Sequence, residues 1–246
     1  SVENSNNELI DLEDIKSVII FVASIFCVSS SSLKIKIKSL FGFAWNWPGQ
    51  IPWNTLWSDK TILSDKMIVV AITGASGVIY GIRLLETLKE LKIETSLIIS
   101  DAAKTVIKSE TDWKIDDIIR LTDNYYEFDD LTASINSGSF KFDSLAIVPC
   151  SMKTLSSIAN GYGDNTITRV ADVSLKERRK TVIVPRETPL RTAHIKNMLT
   201  LSQEGAVILP AMPGFYSTHD TVDDQINFIV GKILDSLKIE NDLFKR

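Results

Sequence analysis

From Met67 onward, short apolar runs alternate with longer amphipathic stretches, and this alternation limits the choice of fold more than any other feature of the sequence. The apolar runs predict buried strands at 67–73, 95–100, 144–148, 181–184 and 206–209. Helical periodicity predicts helices at 78–91, 102–109, 166–179, 190–203 and 221–237. Apolar strands joined by helices indicate an α/β protein with three layers, a parallel sheet covered by helices on both faces. Ligands of such sheets bind beyond the carboxyl ends of the strands.

Composition excludes several classes of function. The 246 residues are 44% hydrophobic and 24% charged, which is enough for one sizeable core, and the net charge of -4 gives no reason to expect a nucleic-acid partner. Cys27 and Cys150 lie far apart, so the sequence predicts neither a disulfide framework nor a zinc site and fits a reducing cytoplasm. His194 and His219 do not form a short metal-binding pair, so we expect no metal.

Residues 1–66 differ from the rest of the chain, because they hold four of the five tryptophans and no arginine. The apolar run 18–28 is too short to span a bilayer and follows acidic residues, so we expect neither a signal peptide nor a membrane partner. The lack of arginine argues against a mitochondrial transit peptide. We interpret 1–66 as an N-terminal extension of unknown role and 67–246 as the functional domain, with Met67 as its natural start.

The first predicted strand is followed by Gly74-Ala75-Ser76-Gly77 and then by a predicted helix. Small residues let the backbone approach an anion, and a helix start offers free N–H groups, so this turn is expected to bind phosphate. The same pattern also occurs as a plain tight turn or in nicotinamide-binding domains. Ser100, after the second strand, is either a contact for a ribityl or ribose group or an ordinary helix cap.

Further polar residues follow the later strands. The segment 149–154, Pro-Cys-Ser-Met-Lys-Thr, predicts a second helix start with hydroxyls and a lysine, although Lys153 is equally typical of a solvated helix. Arg169 and Lys176 share one face of a predicted helix, and Arg186 and Glu187 follow the next strand. We expect these cations to meet Glu187 at one edge of the sheet. The loop 210–216 suits a flat ring or an isoprenoid tail, or is a packing loop.

Four ordered motifs together resemble the UbiX-type flavin prenyltransferases. They are Gly74-Ala75-Ser76-Gly77 with Tyr80-Gly81, Pro149 to Lys153, Pro185-Arg186-Glu187-Thr188-Pro189, and Met212-Pro213-Gly214-Phe215-Tyr216. The resemblance covers the span after residue 66. It implies a flavodoxin-like or Rossmann-like subunit that joins the dimethylallyl group of dimethylallyl monophosphate to reduced FMN. It further implies a homo-oligomer, a dodecamer with active sites at subunit boundaries, and a UbiD-type decarboxylase that receives the prenylated FMN.

The resemblance also implies roles for individual residues. FMN would be held by Gly74, Ala75, Ser76, Ser100, Cys150, Ser151, Met152, Lys153 and Arg186. The prenyl phosphate would be bound by Arg169, Lys176, Tyr216 and Lys232. Glu187 would move protons with the help of Ser76, Glu110 matches a further family acid, and Lys176 belongs to the catalytic set. The family often has an aromatic residue near its C-terminus, and because this chain ends in Phe244-Lys245-Arg246, that wall is expected to be incomplete.

Three alternatives stay open at this point. A flavin-dependent cysteine decarboxylase would need a histidine base, whereas His194 falls within a predicted helix and the 149–154 segment lacks that family's motif. An aromatic acid decarboxylase corresponds to the older naming of the family. A non-catalytic flavin carrier would not need the cations and the acid that the sequence supplies.

Overall fold

The computed structural model describes residues 66–214 and 221–244. This part of the chain contains six strands: β1 Met67–Ile72, β2 Glu94–Ile99, β3 Asn124–Tyr126, β4 Ser144–Cys150, β5 Lys180–Pro185 and β6 Val207–Ile208. Its seven α-helices are α1 Val78–Glu90, α2 Asp101–Glu110, α3 Ile115–Ile119, α4 Met152–Ala159, α5 Thr166–Lys176, α6 Thr192–Gln203 and α7 Val222–Ser236. None of these seven helices is long and apolar enough to cross a bilayer. The expectations for 1–65 and for Tyr216 lie outside the described residues.

The six strands form one parallel sheet in the order β3-β2-β1-β4-β5-β6. The chain moves outward from β1 through β2 to β3, returns to the other side of β1 with β4, and moves outward again through β5 to β6. This order is that of a doubly wound, Rossmann-type sheet, and it confirms the predicted fold class. Because the winding direction reverses between β1 and β4, a crevice opens beyond the carboxyl ends of these two strands.

Two hydrophobic cores, one on each face of the sheet, produce the three layers. Ile68, Val70 and Ile72 of β1 point into a core formed with α1, α2 and α7. Val69 and Ala71 point into the opposite core, which α4, α5 and α6 complete. Successive strand side chains alternate between faces, so a strand buried on both faces must be apolar throughout, as the sequence pattern indicated.

All five predicted strands are present, but the sequence did not predict β3 or α3. These elements have three and five residues, which is too short for a hydrophobic period to be recognised. Helix α5 ends at Lys176 rather than at 179, and Arg178 two residues later has a left-handed φ of 58° that cannot continue the helix. The strand β1 ends at Ile72, which leaves Thr73 in the loop that follows.

Candidate functional site

The loops that leave the carboxyl edge of the sheet bring most of the predicted residues together. The turn after β1 carries Gly74, Ala75 and Ser76, and the junction after β2 carries Ser100. The end of β4 leads into Ser151, Met152 and Lys153. The end of β5 leads into Arg186 and Glu187. The strands β1 and β4 are neighbours at the reversal of the winding direction, so the first and third of these loops flank the crevice.

The turn at 74–77, called the glycine turn below, ends in a helix start without a side-chain cap. Gly77 has a left-handed φ of 92°, and no side chain caps α1. A Cβ on Gly74 would lie 2.4 Å from Cβ of Ala102, so only glycine lets the turn approach the start of α2. Ser76 Oγ makes no hydrogen bond to another described residue. The amides of Ala75 and Gly77 are bonded within the protein, to the Thr73 carbonyl and to Glu110, while the Ser76 hydroxyl and the positive end of the helix dipole suit an anion such as a phosphate.

Glu110 reaches the glycine turn from the end of α2. The amide of Gly77 donates a hydrogen bond of 2.8 Å to Oε2 of Glu110, whose side chain is otherwise exposed. The structure therefore places Glu110 at the turn, although Glu110 and Gly77 are 33 positions apart in the sequence.

Two of the predicted hydroxyl residues cap helices. Ser100 Oγ accepts from the amide of Ala103 at 3.1 Å, and Ser151 Oγ accepts from the amide of Thr154 at 3.3 Å. Ser151 Oγ also lies 3.1 Å from Oγ1 of Thr154. The helix-cap interpretation of Ser100 is therefore correct for the described chain, and a ligand contact would have to use the remaining hydrogen-bonding capacity of its hydroxyl.

Cys150 is placed at the site by its backbone rather than by its thiol. Its side chain is fully buried, and this burial raises the pKa of the thiol well above its ordinary value. Its carbonyl accepts from the amide of Arg186 at 3.3 Å, which joins the ends of β4 and β5. The neighbouring Lys153 is exposed on α4.

Arg186 and Glu187 are exposed at the end of β5. Burial raises the pKa of Tyr80 on α1, and the positive charge of Arg186 partly offsets this effect. Tyr80 itself packs beside the glycine turn, since a Cβ on Gly77 would lie 3.0 Å from its ring. Arg186 and Glu187 are adjacent residues that follow β5 at the carboxyl edge of the sheet.

Arg169 lies near the start of α5 and Lys176 at its end, so the two cations lie at different distances from the carboxyl edge of the sheet. Arg169 lies in the first turns of α5 and pairs with Asp172 at 3.4 Å. Lys176 is the last residue of α5, only four positions before β5 begins at Lys180, so it lies toward the amino edge of the sheet. Within one chain the structure does not bring Lys176 to Arg186, contrary to the sequence expectation, because α5 runs antiparallel to the strands and carries its C-terminus away from their carboxyl ends.

Lys232 is exposed on α7, beside the C-terminal residues that the structure describes. Its Nζ lies 5.7 Å from the ring centroid of Phe244, and that ring packs edge-on against Phe228 with centroids 5.2 Å apart. Gly231 makes this packing possible, since a Cβ there would lie 2.4 Å from Cδ1 of Phe244. A groove of about 420 Å³ separates α7 from the loop after β6 and is lined by Lys232 and Met212 among others.

A second groove, of about 610 Å³, lies between α4 and α6 and is lined by Met152, Lys153 and His194 among others. His194 stands in the first turn of α6, where its Nδ1 accepts from the amide of Arg191 at 3.4 Å. This contact gives His194 a structural partner within the helix in which the sequence analysis placed it. In the described part of the chain, no group of three or more His, Cys, Asp or Glu residues could hold a metal ion.

Comparison with known proteins identifies the family of the chain. Residues 57–235 match the family model described as Flavoprotein. A flavin prenyltransferase UbiX of Methanothermobacter thermautotrophicus is 54% identical over 181 residues, which are 74% of this chain and 95% of that protein.

Two solved structures give the same answer. A crystal structure of AnUbiX (PadA1) in complex with FMN and dimethylallyl pyrophosphate has a TM-score of 0.73 and 44% identity, covering 74% of this chain and 96% of that one. A structure from Escherichia coli O157:H7, described as a dodecameric FMN-dependent UbiX-like decarboxylase, has a TM-score of 0.72 and 44% identity over 73% of this chain and 98% of that one. The chain belongs to the UbiX-type flavin prenyltransferase family.

Proposed function

We propose that this protein joins the dimethylallyl group of dimethylallyl monophosphate to reduced FMN and releases phosphate. The observation that carries the proposal is the start of α1, which lacks a side-chain cap and lies at the same edge of the sheet as Arg186 and Glu187, in a chain 54% identical to a flavin prenyltransferase. The α1 start suits the phosphate that FMN keeps, and an exposed acid that adjoins a guanidinium suits the proton transfer that accompanies release of phosphate from the second substrate. The complex of AnUbiX with FMN and dimethylallyl pyrophosphate supports this choice of ligands.

The residues of the carboxyl edge would hold the flavin. The glycine turn binds its phosphate through backbone N–H groups, Ser100 and the 149–153 loop contact its remaining polar groups, and Arg186 adds a positive charge. When bound, reduced FMN supplies the nitrogen nucleophile that accepts the dimethylallyl carbon as the bond from that carbon to phosphate oxygen breaks. The electron pair of the broken bond leaves with the phosphate, so positive charges are needed around it.

Glu187 is the residue we assign to proton transfer. It is exposed at the end of β5, and its Oε1 accepts from the amide of Thr188 at 3.1 Å, which leaves the other carboxylate oxygen available. Ser76, whose hydroxyl has no other partner among the described residues, would assist, and Glu110 accepts a hydrogen bond from the amide of Gly77 in the same turn.

The prenyl phosphate site is proposed to span a subunit boundary. Arg169, Lys176, Tyr216 and Lys232 are the assigned phosphate-binding residues, but Lys176 lies toward the other edge of the sheet in its own chain. A homo-oligomer, in which one subunit presents α5 to the crevice of another, would reconcile this position with the assigned role. The dodecameric E. coli neighbour supports a dodecamer, and light scattering that finds an active monomer would contradict it.

The activity is tested by incubating the protein without oxygen with reduced FMN and dimethylallyl monophosphate. We expect phosphate release and a flavin that is heavier by one five-carbon unit, without added metal. Glu187→Gln keeps the shape of the side chain but not its proton-transfer function, so FMN should still bind while turnover falls about a hundredfold or more. An unchanged flavin mass, together with decarboxylation of a cysteine-bearing substrate, would favour the cysteine decarboxylase alternative instead.

We further propose that 67–246 is the catalytic domain, that a UbiD-type decarboxylase uses the product, and that the protein works in the cytoplasm, where the buried thiol of Cys150 stays reduced. All motifs of the site lie after Met67. A shortened chain of residues 67–246 should therefore bind FMN as tightly as the full chain. Loss of FMN binding on truncation would show that residues 1–66 contribute to the site.

A further inference from the structure

A row of hydrogen bonds connects the strands at the carboxyl edge of the sheet, just beyond their regular pairing. The amide of Ser100 donates to the carbonyl of Ile72 at 3.0 Å, which joins β2 to β1, and the amide of Arg186 donates to the carbonyl of Cys150 at 3.3 Å, which joins β5 to β4. These links use backbone atoms only. Between them lies the connection from β1 to β4, at the reversal of the winding direction.

This central connection depends on the side chain of Thr73. Regular pairing of β1 with β4 extends only to Ala71 and Ile147, and Pro149 has no amide hydrogen with which to continue it. The hydroxyl of Thr73 donates to the carbonyl of Pro149 at 2.8 Å and accepts from the amide of Ser151 at 2.7 Å. The amide of Thr73 adds a longer bond of 3.2 Å to the same carbonyl.

Thr73 also begins the glycine turn, since its carbonyl accepts from the amide of Ala75 at 2.8 Å. One residue is therefore bonded to both of the loops that flank the crevice. Its side chain is only 1% exposed, so it supports these loops from below and does not reach a ligand itself. A hydroxyl is required here because one group must both donate and accept, which an aliphatic side chain of the same shape cannot do.

We infer that Thr73 is a positioning residue, whose hydroxyl fixes the distance between the glycine turn and the 149–153 loop and thereby preorganises the flavin site. This inference rests on the proposed function, because it assumes that both loops bind FMN. If the hydroxyl is removed, the amide of Ser151 loses its buried acceptor and only the longer bond from the Thr73 amide to the Pro149 carbonyl still joins the two loops. Binding FMN must then order them again, and affinity falls.

The test compares three variants of the full chain by FMN titration and thermal unfolding. Thr73→Val keeps the shape and removes the hydroxyl, and Thr73→Ser restores it. Thr181→Val is a matched control, because Thr181 is fully buried near the start of β5 at the opposite edge, where its hydroxyl lies 2.9 Å from Oγ of Ser174. We expect Thr73→Val to raise the Kd of FMN about tenfold, Thr73→Ser to change it by about twofold or less, and Thr181→Val to lower the melting temperature without changing the Kd.

The outcomes separate this inference from the proposed function. If the wild-type chain and Thr181→Val bind FMN but Thr73→Val binds it equally well, only the role of Thr73 is refuted. If Thr181→Val weakens FMN binding as much as Thr73→Val does, the effect is general destabilisation and the inference is again wrong. Failure of the wild-type chain to bind FMN would refute the proposed function itself.

A second measurement applies even if Thr73→Val does not fold. The Ser151 amide precedes α4 and has no place in that helix's own hydrogen bonding, so its protection must come from Thr73. We expect slow hydrogen exchange at this amide in the wild-type chain and in Thr73→Ser. Fast exchange of the Ser151 amide in the wild-type chain would overturn the inference.

Discussion

The starts of α1 and α4 lie beyond neighbouring strands, and the sequence predicts both as anion-friendly helix starts, but the structure completes them differently. Helix α4 is capped by its own Ser151, whereas α1 begins at Gly77 with no side-chain cap. A serine occurs just before each helix, yet the Ser76 hydroxyl has no partner among the described residues while the Ser151 hydroxyl is bound to Thr154. The difference means that a ligand at the start of α1 would meet the Ser76 hydroxyl without displacing a cap, whereas a ligand at the start of α4 would meet a hydroxyl that is already bonded within its own helix.

The largest effect is expected from a side chain at Gly74, which would fill the space between the glycine turn and α2. In Gly74→Val the new side chain would collide with Ala102, including its backbone carbon at 3.1 Å, so the glycine turn must move away from α2. We expect the FMN affinity to fall about a hundredfold or more, since a displaced turn can no longer direct its N–H groups at the phosphate. Fluorescence titration of FMN measures this loss.

The control for that change is Gly161→Ala, in a loop where nothing lies within 4 Å of the added Cβ. Gly161 has a left-handed φ of 66°, so alanine should cost about 1 kcal/mol of stability through backbone strain. Its FMN affinity should be unchanged. An equal loss of affinity in both glycine variants would mean that destabilisation, and not the geometry of the α1 start, weakens binding.

Effects of intermediate size are expected from replacing Ser76 and Ser151, and the two replacements should affect different properties of the protein. Ser151→Ala removes the cap of α4 and should cost about 1 kcal/mol in the free energy of unfolding, measured by denaturant titration. Ser76→Ala removes a hydroxyl without a structural partner, so stability should hardly change, while turnover slows and FMN binding, carried by backbone N–H groups, is largely kept. If Ser76→Ala destabilised the fold as much as Ser151→Ala, the contrast between the two helix starts would be wrong.

The smallest effect is expected at Glu110, whose carboxylate contacts the glycine turn. Glu110→Gln keeps an oxygen that can accept from the amide of Gly77 but removes a negative charge close to the proposed phosphate site. FMN should therefore bind about twofold more tightly at low salt, and the difference should disappear at high salt because the carboxylate is exposed. Titrations at two ionic strengths measure this. Weaker FMN binding by Glu110→Gln at both ionic strengths would show that the negative charge of Glu110 supports FMN binding, contrary to this prediction.

Much of the site was predictable because parallel strands end at a common edge. Gly74 to Ser76, Ser100, Ser151 and Arg186 were each located by the end of a predicted strand, and in the structure they follow strands that end at one edge of the sheet. Thr73 was missed because it reads as the last residue of an apolar run, and its hydroxyl acquires a role only when Pro149 lies opposite. Its one sequence signal is a polar residue at the end of a strand whose neighbour ends in proline.

The position of Lys176 was the least predictable feature of the site. Helical spacing correctly placed it on the same helix as Arg169, but spacing along one helix does not tell which end of that helix approaches the site. The direction of α5 relative to the sheet decides this, and it directs Lys176 toward the start of β5.

The sequence alone determined the α/β class, the five longer strands and the loops that carry the chemistry, because burial on both faces and turn formation are local patterns of residue type. Tertiary structure decided which polar groups are already satisfied and which stay free. Three neighbouring polar groups at the ends of β1 and β4 illustrate this. The Ser151 hydroxyl caps a helix, the Cys150 thiol is buried in the core, and the Thr73 hydroxyl links the two strands. The physical reason is that hydrogen bonding and burial depend on partners brought together by the strand order, and these partners, such as Thr73 and Ser151, are 78 residues apart in the chain.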